Sequence, residues 1–168
     1  MLPGLDQLVV QCAPNVAPMT MLAIVRVESH GNPLALSVNG KHHLVRQPSS
    51  KNEAISWAKW LINNGYSFDI GLTQVNSRQI QRLGVSPEAM FEPCENLAAG
   101  AQILTEYYAR AIRKYGTGQT ALRAAISAYN SGNQTSGITN GYVNRVSIAA
   151  GIEPAARTSS VRPLLAMN

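Results

Sequence analysis

Nine carboxylates are spread over the 168 residues, and most of them suit local work. Glu53 follows Ser50 at the spacing of a capping box. Glu88 and Glu95 fall at helix starts, where negative charge is favourable, and Glu106 fits a solvated helix face. Glu28 fits none of these roles. It lies three residues after Val25 and four after Ile24, so it extends an apolar helical face. It also stands at the C-terminal end of its helix, the wrong end for an anion. Partial burial and the negative helix end both disfavour the ionised form and raise the pKa. A carboxyl that keeps its proton near neutral pH can act as a general acid in glycoside cleavage. The same position also suits a glutamate at the core edge that reaches water or pairs with Arg26 or a lysine. Asp69 is a second candidate, beside the glycine turn Gly71, where backbone can approach a ligand. It reads first as a turn aspartate bonded to nearby backbone N–H groups. Gln74 and Asn76 flank Val75 and point to one side if the segment is extended. Tyr129-Asn130 closes one helix and Tyr142 opens another. Such amide and phenol groups bind sugars, yet buried tyrosines with one satisfied hydroxyl are common.

The elements that must position these groups are mostly helices. Residues 17–29 begin with Pro18 in the first turn and carry Met21, Leu22, Val25 and Glu28 at spacings of three and four. Gly31-Asn32-Pro33 stops the run. Ser50 opens a second helix whose apolar face is Ala54, Trp57, Ala58 and Leu61, and Asn64-Gly65 ends it. Further helices are expected over 77–83, 95–115, 120–129 and 140–150. Between them, residues 36–46 hold Asn39-Gly40, a type I′ turn signal between short β-prone segments. Residues 66–75 suit another strand or an irregular loop. The fold class expected is mainly α with a small β-hairpin excursion. The expected domain spans 1–151, followed by a weakly ordered tail over 152–168 that lacks an apolar face.

Composition limits the alternatives. Hydrophobic residues make up 45% and charged residues 14% of the chain, which argues against disorder over most of its length. No run approaches the about 18 apolar residues of a membrane span. Leu8-Val9-Val10 is too short for the apolar core of a signal peptide, and no basic segment precedes it. The net charge is +5 with a pI near 9.5, which favours anionic partners in general. The fourteen Lys and Arg are scattered, with no aromatic-basic interleaving of the nucleic-acid type. Cys12 and Cys94, with His30, His42 and His43, offer no zinc spacing, and no metal or cofactor is expected. The two cysteines suit either a disulfide, which implies an oxidising compartment, or two buried thiols.

Taken in order, several segments resemble a known family. Glu28-Ser29, Asn32-Pro33, Ser37, Gly71-Leu72-Thr73-Gln74-Val75-Asn76, Ala128-Tyr129-Asn130 and Gly141-Tyr142-Val143 are similar to the motif series of the soluble lytic transglycosylases, enzymes with a lysozyme-like α+β fold. The resemblance covers about residues 17–150. The stretches 12–18 and 93–97 look more particularly like the subgroup attached to type IV secretion and conjugation machines. In that subgroup the protein is exported to the periplasm and opens peptidoglycan locally for an envelope-spanning channel.

The resemblance implies Glu28 as the single catalytic acid and then base. It implies Ser29 and Ser37 as groups that support the site, Ser37 near the N-acetyl group of the muramoyl sugar. Gln74, Asn76, Tyr129, Asn130 and Tyr142 would bind the glycan. Peptidoglycan strands would be the substrate, with periplasmic components of a secretion system as partners. Two departures matter. Thr73 stands where the family often has methionine shaping the apolar cleft wall. The stretch between Gly40 and Gly71 is long, and its helix could cover one side of the cleft. Inverting and retaining hydrolases use a second carboxylate at about 6.5–9.5 or 5–5.5 Å. With Glu28 alone in the groove, the substrate's own N-acetyl oxygen and 6-hydroxyl would close a 1,6-anhydro ring instead. The alternatives are a hydrolysing lysozyme using Asp69 as second carboxylate, and a catalytically inactive wall-binding module.

Overall fold

The computed structural model of the chain describes residues 2–152. The expected tail therefore lies, beyond Ile152, outside the described residues. The elements run α1 (Leu5–Cys12), α2 (Pro18–Ser29), β1 (Leu36–Val38), α3 (Lys51–Asn63), β2 (Phe68–Ile70), β3 (Val75–Asn76), α4 (Ser77–Leu83), a 3-10 turn at Ala89–Phe91, α5 (Pro93–Tyr115), α6 (Gln119–Ser131), α7 (Ser136–Thr139) and α8 (Tyr142–Ala149). The fold is mainly α with a small antiparallel sheet, as the patterning predicts. Among the described residues no helix is long and apolar enough to cross a membrane.

Local chemistry sets most boundaries. Pro18 and Pro93 occupy the first turns of α2 and α5, where a missing N–H costs nothing. Ser50 accepts from the Glu53 amide at the start of α3, and Asn76 accepts from the Arg78 amide at the start of α4. His30 at φ 53° closes α2 and Gly132 at φ 76° closes α6, both in the left-handed region. The long helix α5 packs along α6, while α2 is enclosed by α1 and α8. Met21, Ala23, Ile24 and Val25 of α2 are wholly buried, so the helix that carries Glu28 has little freedom to shift.

The sheet differs from the expected hairpin. No strand returns directly after Asn39-Gly40 over residues 41–50. β1 pairs instead with β2, with Leu36 opposite Ile70 and Ser37 opposite Asp69. β2 pairs in turn with β3, with Asp69 opposite Asn76. The partner strand comes from the glycine-punctuated stretch about thirty residues on. The Gln47 side chain occupies the place that a returning strand would fill. Its amide accepts from the Leu36 N–H at 2.8 Å and donates to the Leu36 carbonyl at 2.9 Å. A side-chain amide thus satisfies both backbone groups that a ladder would satisfy.

Beyond β2, residues 71–74 form a tight loop that rests on α5. Gly71 has φ 78°, and a Cβ there would meet Asn96 Nδ2 at 2.2 Å and the Met90 carbonyl at 2.6 Å. Gly100 of α5 is equally restricted, since a Cβ would lie 2.5 Å from Thr73 Oγ1. Asn96, 1% exposed, holds this loop. Its Oδ1 accepts from the Thr73 amide at 2.8 Å and lies 2.7 Å from the Thr73 hydroxyl. Its Nδ2 donates to the Ile70 and Met90 carbonyls, both at 2.9 Å. Every polar atom of this buried amide is used, which favours one loop conformation.

Candidate active site

Glu28 lies one residue before the end of α2, at the floor of a cavity of about 390 Å³ between the sheet and α6. The cavity walls include Asn39, Ser67, Asp69, Gln74, Asn76, Tyr129 and Asn130. Residues 71–74 reach this site from three anchors. The Ser29 hydroxyl donates to the Leu72 carbonyl at 2.7 Å. Asn96 holds Thr73 from below. The Tyr129 hydroxyl donates to the Thr73 carbonyl at 2.7 Å.

The carboxyl of Glu28 is raised from 4.5 to about 7. Burial is the main cause, and the nearby Asp69 charge adds to it. Two groups work against these. The Tyr142 hydroxyl donates a hydrogen bond to Glu28 Oε1, and Arg145 brings a positive charge. Tyr142 is 2% exposed, and its own hydroxyl is pushed up by burial and by the Glu28 charge. The Arg145 guanidinium lies over the Tyr142 ring, 5.7 Å from its centroid. The result is a carboxyl that exchanges its proton near neutral pH and is held by a phenol that stays protonated.

Asp69 shares the cavity. Burial raises its pKa, opposed by hydrogen bonds from Asn76 and Asn39. Asn76 Nδ2 donates to Asp69 Oδ1 at 2.7 Å while Asn76 Oδ1 caps α4. Ser37, Asp69 and Asn76 form one cross-strand row on the face opposite the buried Leu36, Ile70 and Val75.

The expected site residues therefore fall into two groups. Glu28, Gln74, Asn76, Tyr129 and Asn130 line the cavity together, and Asp69 joins them. Ser29, Ser37 and Tyr142 do not line it. Ser29 is buried and its hydroxyl ties α2 to the loop, Ser37 is exposed at the sheet end, and Tyr142 backs the Glu28 carboxyl. Gln74 is not extended, as the pairing with Asn76 requires. It stands at φ 49°, and its Nε2 donates to the Gly71 carbonyl at 3.0 Å. Asn130 Oδ1 accepts from Asn140 Nδ2 at 3.0 Å.

Two further expectations are corrected. Thr73 does not shape the cleft wall, because its side chain is wholly buried against Asn96 and Gly100. A longer side chain there would meet α5, not the ligand. The α3 helix also lines none of the Glu28 cavity. Conversely, Ser67, Arg78 and Tyr107 line it without standing out in the sequence, and Asn39, which the sequence marks only as a turn residue, lines it too. The Asn39 backbone N–H donates to the Ser67 carbonyl at 2.9 Å and closes the sheet beside Asp69.

Comparison with known proteins finds relatives by sequence. The transglycosylase SLT domain matches residues 9–150. The chain is 46% identical over 148 residues to the type IV secretion system protein VirB1 of Brucella abortus, covering 84% of this chain and 62% of that protein. It is 38% identical over 145 residues to protein VirB1 of Agrobacterium tumefaciens, covering 86% and 60%. For protein VirB1 of Agrobacterium fabrum the values are 39% over 140 residues, 83% and 56%. The chain thus spans about three-fifths of the length of these relatives. No solved structure gives a significant match.

Proposed function

The chain belongs to the transglycosylase SLT domain family, and from that premise we propose that it is a lytic transglycosylase that opens peptidoglycan for a type IV secretion apparatus. Residues 1–151 are its catalytic domain, and it works in the periplasm. The observation that carries the reading is the Glu28 carboxyl, raised to about 7 in a cavity walled by amides and a phenol. The joined Cys12–Cys94 pair suits an oxidising compartment, and the +5 charge suits an anionic wall. The VirB1 names of the relatives support the secretion context.

In this reading Glu28 protonates the glycosidic oxygen that leaves N-acetylmuramic acid, and the bond from that oxygen to the sugar's first carbon breaks. The substrate's N-acetyl oxygen stabilises the electron-poor carbon. The 6-hydroxyl then bonds to the same carbon and returns its proton to the Glu28 carboxylate. The product is a 1,6-anhydromuramoyl end, and no water is consumed. The tethered hydroxyl has the advantage of proximity over bulk water. Gln74, Asn130 and Tyr129 bind the sugars, while Ser29, Ser37 and Tyr142 position the site.

Mass spectrometry of digested peptidoglycan tests this directly. Anhydro ends are expected from the parent and from Asp69→Asn. Reducing ends, each heavier by one water and lost in Asp69→Asn, would instead make the protein a two-carboxylate hydrolase. A parent that leaves the wall intact would reduce it to a wall-binding module.

Tyr142 supplies a second test. Its hydrogen bond favours the Glu28 carboxylate, so Tyr142→Phe should move the alkaline limb of the kcat profile to higher pH. The loss of the hydrogen bond to the charged form should also cost about ten- to a hundredfold in kcat. An unmoved limb would mean that Tyr142 is not coupled to the titrating group.

A further inference from the structure

The α3 helix departs from its expected pattern at one face. Ala54, Ala58 and Leu61 are buried, but Trp57 and Trp60 stand 40% and 49% exposed. They are not isolated. The Trp57 and Trp60 rings meet edge to face at 5.9 Å, Trp60 stacks on Tyr66 at 5.7 Å with 18° between planes, and His42 meets Tyr66 at 5.5 Å. These rings wall a second cavity of about 370 Å³, nearly as large as the one at Glu28. Its roof is the segment around His43, Leu44 and Val45. That segment is fixed at its C-terminal end. Gln47 grips β1, and Arg46 forms a two-pronged pair with Glu53, Nη2 to Oε1 at 2.6 Å and Nη1 to Oε2 at 3.1 Å.

The chemistry of this cavity suits a sugar ring. A pyranose presents a flat face of C–H groups, which rests on aromatic rings, and a rim of hydroxyls, which needs donors and acceptors. Stacked aromatic walls with a few oriented polar groups are the usual make-up of a ligand site. Arg46, Glu53 and the two histidines supply the polar rim. A chain of shared lining residues leads from this cavity toward the Glu28 site. A smaller depression of about 200 Å³ adjoins both, sharing Ser67 and Arg78 with the Glu28 cavity and Tyr66 with the aromatic one.

We propose that the Trp57–Trp60–Tyr66 cluster is a remote sugar-binding platform, which holds a pyranose ring of the same glycan strand whose scissile bond lies at Glu28. The platform rests on the proposed glycan substrate but takes no part in the bond-breaking step. It makes the enzyme prefer long strands, because binding at two linked sites raises the effective concentration at the second.

The chain has two tryptophans, both in this cluster, so tryptophan fluorescence and the two indole N–H signals read this site alone. The test uses the full chain as Glu28→Gln, so that binding is measured without cleavage. Long peptide-free glycan strands should shift both signals. Trp60→Ala should weaken binding to those strands and to intact sacculi about five- to tenfold, and Trp60→Phe should recover most of it. In the cleaving enzyme, Trp60→Ala should raise KM for sacculi with kcat unchanged, and leave cleavage of a fragment confined to the Glu28 cavity unchanged. Silent indoles at saturating glycan, or equal sacculus binding by Trp60→Ala, would overturn the platform, and the patch would then belong to a protein partner. Indole shifts in a parent that proves unable to lyse the wall would keep the platform and overturn the enzymatic reading.

Discussion

Glu28→Gln should lower wall lysis by about a thousandfold or more while raising stability above neutral pH. The rate loss is the size expected when a general acid is removed. Glutamine keeps the shape and can still meet the Tyr142 hydroxyl, so the fold is retained. The stability gain follows from linkage. In the unfolded chain Glu28 titrates near 4.5, and in the folded chain near 7. Below pH 4.5 the group is protonated in both states and carries no electrostatic cost. Between 4.5 and 7 the unfolded state loses its proton first, so folding stability falls as pH rises. Above 7 the full cost of about 3 kcal/mol is present. Glutamine has no proton to lose, so thermal unfolding of the variant should be higher than that of the parent at pH 8 and equal to it at pH 4. Equal pH dependence in the two proteins would show that Glu28 is not held in its uncharged form. Undiminished lysis would remove it from the mechanism.

Breaking the Cys12–Cys94 link should be the most damaging change to stability. The bond spans 82 residues of sequence and in the chain-entropy view stabilises by about 4 kcal/mol. It joins the end of α1 to the first turn of α5. α1 in turn covers the cluster of Met21, Val25, Leu72 and Leu97 with Leu5 and Val9. Leu72 belongs to the loop that Ser29 ties to the end of α2, so loosening α1 reaches the floor of the Glu28 cavity. Replacing both cysteines by serine should lower Tm by about 10 °C, and a reductant should do the same to the parent and nothing further to the variant. A fall below about 1 °C would mean that packing alone holds α1.

Glu28 stands out in the sequence because a carboxylate at an apolar helical spacing breaks a rule that the other residues of α2 obey. Its neighbours in space, Asp69, Gln74, Tyr129 and Tyr142, come from segments about 40 to 114 residues away. Only the ordered motif set, and not periodicity, brings Gln74, Tyr129 and Asn130 toward it. Asn96 cannot be singled out, because one asparagine in a long amphipathic helix reads as surface. Its role exists only once the 71–74 loop lies against α5. Trp57 fails for the converse reason. It satisfies the apolar spacing of α3, yet a helix packed on one side buries a narrower stripe than its hydrophobic residues define. The absent hairpin is a competition settled by long-range pairing. Asn39-Gly40 can turn, but β2 offers β1 a partner already braced by β3 and by Asn96.

The grip of Gln47 on Leu36 has a consequence for how this sheet meets other chains. An open strand edge is a template for another chain, and natural sheets guard against this by shortening or covering it. Here β1 is three residues long, and the outward amide and carbonyl of Leu36 are already engaged. A neighbouring copy finds the Leu36 rung already taken, so a single glutamine shortens the edge that strand addition could use.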